Sequence, residues 1–318
     1  MIKSTDYTSV LVPITITSAM VVSVTSNGVT LPEDGSPPWV AGTTYALGQR
    51  AHSPVTHRVY ESLKAGNIGH DPTDPTNQTT ATGVGTWWID IGPTNKWAMF
   101  DGLISSQTVA TSPLVIKLRP GAFDSFAIFK MQAAGIHTTV DDAPGGNRIY
   151  DYDSALEGSA PGDYYEYFFE TFIPRREYVV TGLEPYGLSE LTLTISAGTG
   201  QVKLGMLTLG MQKVLGAPER NSRVSPKTYS YIAEDAYGNT VIKRRPSAMG
   251  VSLTVKVALE DADEVLQTVQ DLLDVPVAVI GSTDIYHAKL STFGLISGDM
   301  DYSTWPDRTL NLTVKGFI

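Results

Sequence analysis

Short segments in which apolar and polar residues alternate dominate the chain after Pro93. In Leu191–Ser196, the clearest example, every second residue is a large aliphatic one. A period of two places one face of an extended strand against a core and the other in solvent. Because turns rich in Gly and Pro separate the segments, the pattern predicts an antiparallel β-sandwich, jelly-roll-like in character. The predicted strands of this region are Lys96–Asp101, Leu114–Arg119, Ser125–Met131, Gly135–Val140, Arg148–Tyr152, Tyr164–Phe172, Tyr178–Thr181, Leu191–Ser196 and Gln201–Met211.

Composition limits the classes of protein to which the chain can belong. It has 318 residues, of which 42% are hydrophobic and 18% charged, and this length predicts two or three globular domains. The absence of cysteine excludes disulfides, thiolate catalysis and cysteine-ligated metal sites. The net charge is −10 and no basic stripe is present, so we do not expect nucleic-acid binding.

The first 38 residues predict two strands, Ser9–Thr17 and Met20–Thr25, and a hairpin turn at Asn27-Gly28. The apolar stretch Val10–Val24 is interrupted by Thr and Ser, so we expect strands there rather than a signal peptide or a membrane-inserted segment. We expect these strands to join the sheets formed by residues 93–210. Residues 39–92 are then a small β module inserted into one β-sandwich domain made of residues 1–38 and 93–210.

Residues 211–318 predict a C-terminal α+β domain with the element order β-β-β-α-β-β-β. Its one helix is expected near residues 260–273, where apolar residues recur at helical spacing and acidic residues occupy the first turn. The predicted strands are Arg223–Ile232, Val241–Arg245, Val251–Leu259, Val277–Ile280, Tyr286–Phe293 and Thr309–Phe317. The whole chain is therefore predicted to be mainly β.

Acidic residues are the first candidates for chemistry. They suit turns, calcium binding or the paired carboxylates of a glycosidase. No Gly-x-Ser-x-Gly nucleophile motif is present, and His52 and His57 do not have the helical spacing of metal ligands. We therefore expect no enzyme activity, no metal and no cofactor. The acids that would matter to the glycosidase alternative are Asp141, Asp142, Asp151, Asp153, Glu166 and Glu170.

Two further stretches suggest contact surfaces. The aromatic run Tyr164–Phe172 is typical either of a central sandwich strand or of a sheet face that meets a sugar or another protein. The basic cluster Lys243, Arg244 and Arg245 stands in an acidic chain, which favours a charge-complementary contact with a neighbouring subunit.

The inserted module is rich in large rings. Pyranose sugars bind proteins by laying their flat C–H faces on such rings. Adjacent residues of a strand point to opposite sides, so one of the neighbouring tryptophans at positions 87 and 88 is expected in the core and the other on a platform. The alternative is that every ring serves the core. The candidate carbohydrate-binding residues are Trp39, Tyr45, Tyr60, Trp87 and Trp88.

The module resembles small chitin- or cellulose-binding modules. Four stretches carry the resemblance: Trp39–Gly48, His57–Ser62, Asp71-Pro72 and Trp87-Trp88. In that family Trp, Tyr, Gly, a second Tyr and a closing Trp recur in this order. The chain departs from the family at Gln49, where an acidic residue is common. The resemblance implies a carbohydrate-binding-like fold and a polysaccharide ligand.

A second resemblance covers most of the chain and is most specific at residues 94–101. In a family of virion structural proteins of tailed bacteriophages, a small sugar-binding-like module directly precedes a Thr-Asn-x-Trp-Ala-Met-Phe-Asp element. The elements that match the family are Pro93–Gly102, Leu118–Gly121, Tyr164–Phe169, Gly205–Gly210 and Tyr237-Gly238-Asn239.

This second resemblance implies a structural component of a phage tail or baseplate, located in the virion and, during assembly, in the bacterial cytoplasm. The expected partners are other tail or baseplate proteins, host-surface polysaccharide and further copies of the chain in a symmetric ring. Two alternatives stay open. One is a polysaccharide-degrading enzyme that carries a binding module, and the other is a purely scaffolding tail protein whose module contacts neighbouring subunits.

Overall fold

The computed structural model describes residues 6–33, 35–79, 86–156, 175–219, 221–234, 238, 240–244, 247–282, 290–303 and 306–317. The predicted aromatic strand Tyr164–Phe172, with Glu166 and Glu170, lies outside the described residues, as does Arg245. The chain is mainly β, and every pairing between strands is antiparallel in the described ranges. No helix in this part of the chain is both long and apolar enough to cross a membrane.

The elements are as follows in chain order. The strands are β1 (Thr8–Pro13), β2 (Val21–Ser26), β3 (Val29–Thr30), β4 (Arg50–Ser53), β5 (Arg58–Ser62), β6 (Trp88–Pro93), β7 (Thr108–Thr111), β8 (Leu114–Leu118), β9 (Ser125–Phe129), β10 (Gly135–Asp141), β11 (Arg148–Ala155), β12 (Tyr178–Val180), β13 (Glu190–Ser196), β14 (Gln201–Leu204), β15 (Met206–Pro218), β16 (Arg223–Thr228), β17 (Tyr231–Glu234), β18 (Thr240–Lys243), β19 (Ser247–Val257), β20 (Val277–Ile280), β21 (Thr292–Asp301) and β22 (Arg308–Gly316). The α-helix α1 spans Ala262–Asp271, and the 3-10 helices span Ser18–Met20, Pro75–Asn77 and Ala98–Phe100.

Six strands close into a barrel in the order β15-β1-β20-β21-β22-β19, and β19 returns to β15. Ala217 pairs with Lys256 and Pro218 with Val255 at the closure. Alternate aliphatic residues of these strands fill the barrel, and Val265 and Val269 of α1 pack into the same core. The predicted helix over residues 260–273 is thus present, and its apolar stripe lies against the barrel core.

The barrel differs from the predicted division of the chain in two respects. β1 pairs with β15 and β20, so the first strand joins strands from residues 206–218 and 277–280. β15 runs without a break through the predicted boundary near residue 210. Alternation in a sequence identifies a strand but not its partner, and here the partners of β1 are about 200 residues or more away.

A second sheet has the strand order β11-β10-β13-β8-β2-β3. Its inner residues share one core with β9, β12 and the start of β15, and β7 and β14 contribute to the same core. The predicted turn at Asn27-Gly28 is confirmed: it joins β2 to β3, and both residues have the positive φ that a tight hairpin turn requires. The small module forms a third sheet, β4-β5-β6.

The prediction of a strand at Lys96–Asp101 is wrong. Ala98–Phe100 is a 3-10 helix in which Ala98 and Met99 are buried. The amides of Trp97 and Ala98 both donate to the carbonyl oxygen of Thr94, which curls the chain at this point. A segment this short with a few buried residues has the same apolar pattern in a strand and in a helical turn.

Residues 223–249 form a long hairpin that leaves the barrel, and we call it the arm. β16 pairs with the start of β19, and β17 pairs with β18 nearer the tip. β22 pairs with β19 only from Gly250 onward, so the arm has two strands and no third neighbour in the described residues. Tyr229 and Ser230 separate β16 from β17, and there the amide of Ser230 donates to Thr228 Oγ1.

Glu190 is a buried charge in the second sheet. Its side chain is 3% exposed and accepts from Lys117 Nζ at 2.6 Å and from Arg119 Nε at 2.8 Å. Burial opposes its ionisation, but the hydrogen bonds and charges of Lys117 and Arg119 together hold the pKa of Glu190 below the ordinary glutamate value. A carboxylate with a lowered pKa stabilises the folded state above its unfolded pKa, and this stabilisation is lost as the pH falls through the folded pKa.

We expect Glu190→Gln to lower the free energy of unfolding by about 2 kcal/mol at pH 7, because it removes two charge-assisted hydrogen bonds at a buried site. The difference from the wild type should shrink below about pH 4.3, where unfolded glutamate becomes protonated, and vanish below the lowered pKa of Glu190. Urea unfolding at pH 7 and at pH 2.5 measures both effects. Glu260→Gln, at an exposed position, is the control and should change neither value; an equal loss at both pH values would contradict the assignment.

Candidate functional site

Three of the five candidate sugar-binding rings form the core of the small module. Tyr45, Tyr60 and Trp88 are almost completely buried and pack together with Ala51. Their polar ends are also satisfied inside the module: Tyr45 Oη accepts from an amide, Tyr60 Oη lies 3.1 Å from Thr56 Oγ1, and Trp88 Nε1 donates to a carbonyl oxygen. In this conformation these three rings offer no face to a sugar.

Trp39 and Trp87 are the two candidate rings that keep exposed surface. Both pack against the module core and are partly buried. The imidazole of His70 stacks on the Trp87 ring with the ring centres 3.8 Å apart, and Lys64 Nζ lies 4.9 Å from the Trp87 ring centre. The indole nitrogen of Trp39 is buried and has no hydrogen-bond partner among the described residues. His70 therefore covers part of one face of the Trp87 ring and Lys64 lies over the ring, so the exposed aromatic surface of the module is the remaining part of Trp87 and part of Trp39.

A cluster around His57 ties the module to the rest of the chain. Its ring stacks on Trp97 with the centres 3.8 Å apart and the planes 9° from parallel. His57 Nδ1 lies 3.0 Å from both oxygens of Glu33, His57 Nε2 lies 2.7 Å from Ser18 Oγ, and Trp97 Nε1 donates to Glu33. Glu33 precedes the module and Trp97 follows it, so the contact joins both connections of the insertion. His52 also has a partner within the protein, because its Nδ1 lies 2.7 Å from the carbonyl oxygen of Ser36. Both histidines that were considered as metal ligands are therefore held by other contacts.

A groove of about 340 Å³ lies beside this cluster and is bordered by Arg58, Phe100 and Asp101. Burial raises the pKa of Asp101 against the opposing hydrogen bonds from Ser106 and from the amide of Leu103. Asp101 is the one carboxyl group that borders the groove among the described residues. The paired carboxylates that glycoside hydrolysis requires are therefore not found there.

The other candidate acids have structural partners. Asp141 and Asp151 both accept from Arg148 at 3.0 Å, and Asp151 also lies 2.9 Å from His137 Nε2. The hydrogen bonds from His137 and Arg148 lower the pKa of Asp151, whereas a general acid needs a raised pKa. Asp142 closes the turn between β10 and β11 by accepting from the amide of Asn147.

Asp153 is exposed on β11. Within the ranges that the structure describes, no group of three or more His, Asp and Glu side chains is arranged to hold a metal ion.

The arm presents large apolar side chains to solvent on both of its faces. Ile232 and Ile242 pair across the strands and are 62% and 58% exposed. Residues that pair directly share a face, so Tyr231 and Lys243 lie on the opposite face, and Tyr231 is exposed as well. Arg244 is also exposed, so two of the three predicted subunit-contact residues lie on this surface.

The apolar part of the arm surface was not predicted from the sequence. Ile232 and Ile242 pair across the two strands of this surface. From the alternation of apolar and polar residues alone, both would be assigned to a buried face. The charge of this segment is visible in the sequence: residues 221–249 contain five basic and two acidic residues in a chain whose net charge is −10.

Comparison with known proteins adds no relative: no family model, no curated protein and no solved structure matches the chain.

The core role of Trp88 and the surface position of Trp87 can be separated experimentally. We expect Trp88→Ala to unfold the module, because truncating a buried tryptophan costs about 3–5 kcal/mol. Hydrogen exchange of the amides in β4 and β5 should then accelerate by roughly a hundredfold or more. Trp87→Ala should leave this exchange within about tenfold of the wild type, since part of its ring is already in solvent. Equal acceleration in both variants would contradict the distinction.

Proposed function

We propose that the protein is a non-enzymatic structural subunit of a bacteriophage tail or baseplate, which assembles with further copies of itself into a symmetric ring. The small module is proposed to be an accessory domain that binds host-surface polysaccharide. The resemblance of residues 93–102 and of the module to those two families supports this proposal. In fold terms the proposal describes the second sheet with β9, β12 and β15 as a sandwich, residues 39–92 as an inserted carbohydrate-binding-like module, and the C-terminal part as an α+β domain.

The observation that carries the assembly part is the exposed arm. An isolated two-stranded hairpin is marginally stable in water, because it has too little apolar surface to bury. This arm nevertheless carries Tyr231, Ile232, Val241 and Ile242 on its surface. Exposed apolar clusters of this kind mark surfaces that another protein covers. A subunit that extends such an arm from a closed barrel is suited to assembly.

The polysaccharide part is supported by the surface around Trp87. An indole with part of its ring in solvent, next to Lys64 and His70, combines an apolar face with groups that can donate hydrogen bonds to hydroxyls. Aromatic side chains with a polar handle suit contacts in which one side is apolar and the other wet. Binding at one such site would be weak, and several copies on one particle would convert it into avidity.

We expect the double substitution Tyr231→Ser and Val241→Ser to prevent assembly, because it removes the exposed large apolar residues of the arm face that also carries Lys243. Sedimentation velocity of the full chain over a range of concentrations should show oligomers for the wild type and monomers for the variant. Leu188→Ser is the matched control: Leu188 is 70% exposed but lies outside the arm. A wild type that stays monomeric at every concentration, or a double variant that assembles normally, would contradict the proposal.

We expect the full chain to bind immobilised polysaccharide in a manner that depends on Trp87. The probes are insoluble chitin and cellulose and an array of bacterial surface polysaccharides. Trp87→Ala should reduce retention by about tenfold, since a stacked aromatic contributes about 1–2 kcal/mol. Tyr152→Ala removes an exposed ring outside the module and should have no effect. If the folded wild type binds none of the probes, the polysaccharide role is refuted and a module that contacts neighbouring proteins becomes the better interpretation.

A further inference from the structure

We propose that the arm of one copy docks into a cleft beside α1 of a second copy, and that this contact builds the ring. The inference rests on the proposed self-assembly and goes beyond it by naming the two surfaces. The cleft has a volume of about 560 Å³ and lies between the second half of β15, the end of β19 and the first turns of α1.

The floor of the cleft is apolar. Its exposed apolar residues are Val214, which is 54% exposed, and Ala217 of β15, and beneath them lie Leu215 and Val265, which are buried in the barrel core. Its apolar surface complements the face of the arm that carries the exposed residues Tyr231 and Val241, on which Lys243 also lies. An apolar surface that is concave and one that protrudes can bury each other without a rearrangement of either.

The rim of the cleft is acidic. Asp261, Glu264 and Asp307 border it, and Glu219 lies next to it as the partner of Lys256. The two ammonium groups at the rim are already paired within the chain, Lys213 with Glu264 at 3.0 Å and Lys256 with Glu219 at 3.5 Å. Because these two ion pairs are each neutral, Asp261 adds negative charge to the rim, and Lys227, Lys243 and Arg244 of the arm complement this charge.

The wider surface of α1 has the same sign. Residues 258–276 contain six acidic residues and no Lys or Arg. One chain thus carries both a basic protruding segment and an acidic cleft. A second copy of the chain can therefore supply the basic segment that the cleft attracts, and no different basic partner is required. An arm that meets a different surface on its neighbour forms a head-to-tail contact, and such contacts generate rings when the rotation closes.

Charge exchange between the two surfaces tests the docking. The arm variant combines Lys243→Glu with Arg244→Glu, and the cleft variant combines Asp261→Lys with Glu264→Lys. Each alone should raise the dissociation constant of the oligomer by at least about tenfold, because like charges then face each other. A single variant that carries both pairs of changes should recover assembly, because its reversed arm charges again face opposite charges in the cleft. The matched control, Asp263→Lys with Asp271→Lys, changes the same charge on α1 at residues that do not line the cleft, and it should assemble normally.

Cross-linking provides a second measurement that does not depend on disruption. The chain has no cysteine, so Val241→Cys on the docking face of the arm and Val214→Cys in the cleft introduce single thiols. Oxidation of an equimolar mixture of the two variants should give a disulfide-linked dimer of one copy of each. Leu188→Cys in place of Val214→Cys should give no such dimer.

The outcomes separate the two proposals. If the wild type never assembles, the proposed function fails and the docking fails with it. If the wild type assembles and the arm variant does not, but the cleft variant assembles normally and the thiols do not cross-link, the docking is refuted while self-assembly through the arm stands.

Discussion

Backbone pairing along β15 joins the two large parts of the structure, because this strand pairs with β9 over its first residues, with β1 along its middle and with β19 at its end. A bulge lies just before the residues that pair with β19: Ser9 pairs with Val214 and Thr8 with Gly216, so Leu215 has no direct partner on β1. A bulge bends a strand and increases its twist. Gly216 has φ +148°, and a Cβ there would lie 2.1 Å from the carbonyl oxygen of Lys256. The barrel therefore closes at a position that only glycine can occupy.

Closure of the barrel also determines where the arm begins. β15 pairs with one edge of β19 only at Val255 and Lys256. β16 pairs with the same edge of β19 nearer the start of that strand. The other edge of β19 pairs with β22 no further toward its start than Gly250. Residues 223–249 consequently extend beyond the barrel as a two-stranded ribbon. The cleft lies on the same strand as the bulge, since Val214, Leu215 and Gly216 all line it. The cleft and the base of the arm thus both adjoin the place where β15 pairs with β19 to close the barrel.

The sequence predicted local structure well where a short segment carries its own signal. Asn27-Gly28 specifies its hairpin turn by its tolerance of positive φ, and the apolar spacing of α1 specifies the helix. Long-range pairing has no such signal: nothing in residues 8–13 indicates that they pair with β15 and β20. Burial was equally hard to predict in the module. Neighbouring tryptophans must point to opposite sides, and Trp88 is buried while Trp87 is only partly buried, but the same reasoning could not tell that Tyr45 and Tyr60 share the core with Trp88. The strand patterns of the arm were recognised, but its apolar residues lie in solvent. Burial of a strand face depends on what packs over it, and the alternation of its own residues does not show this.

The cluster at His57 bears on how binding and assembly would act together. It links Glu33 before the module to Trp97 after it through one stacked ring and three hydrogen-bonding contacts, so the module has a defined orientation relative to the second sheet. Avidity depends on whether several sites can engage one surface at once, and it is lost when geometry forbids this. In a ring of identical subunits, rigid junctions would point every module at the same angle to the ring axis. Weak binding by each Trp87 surface would then add up on an extended polysaccharide layer, whereas freely rotating modules would lose ordering entropy at every engagement.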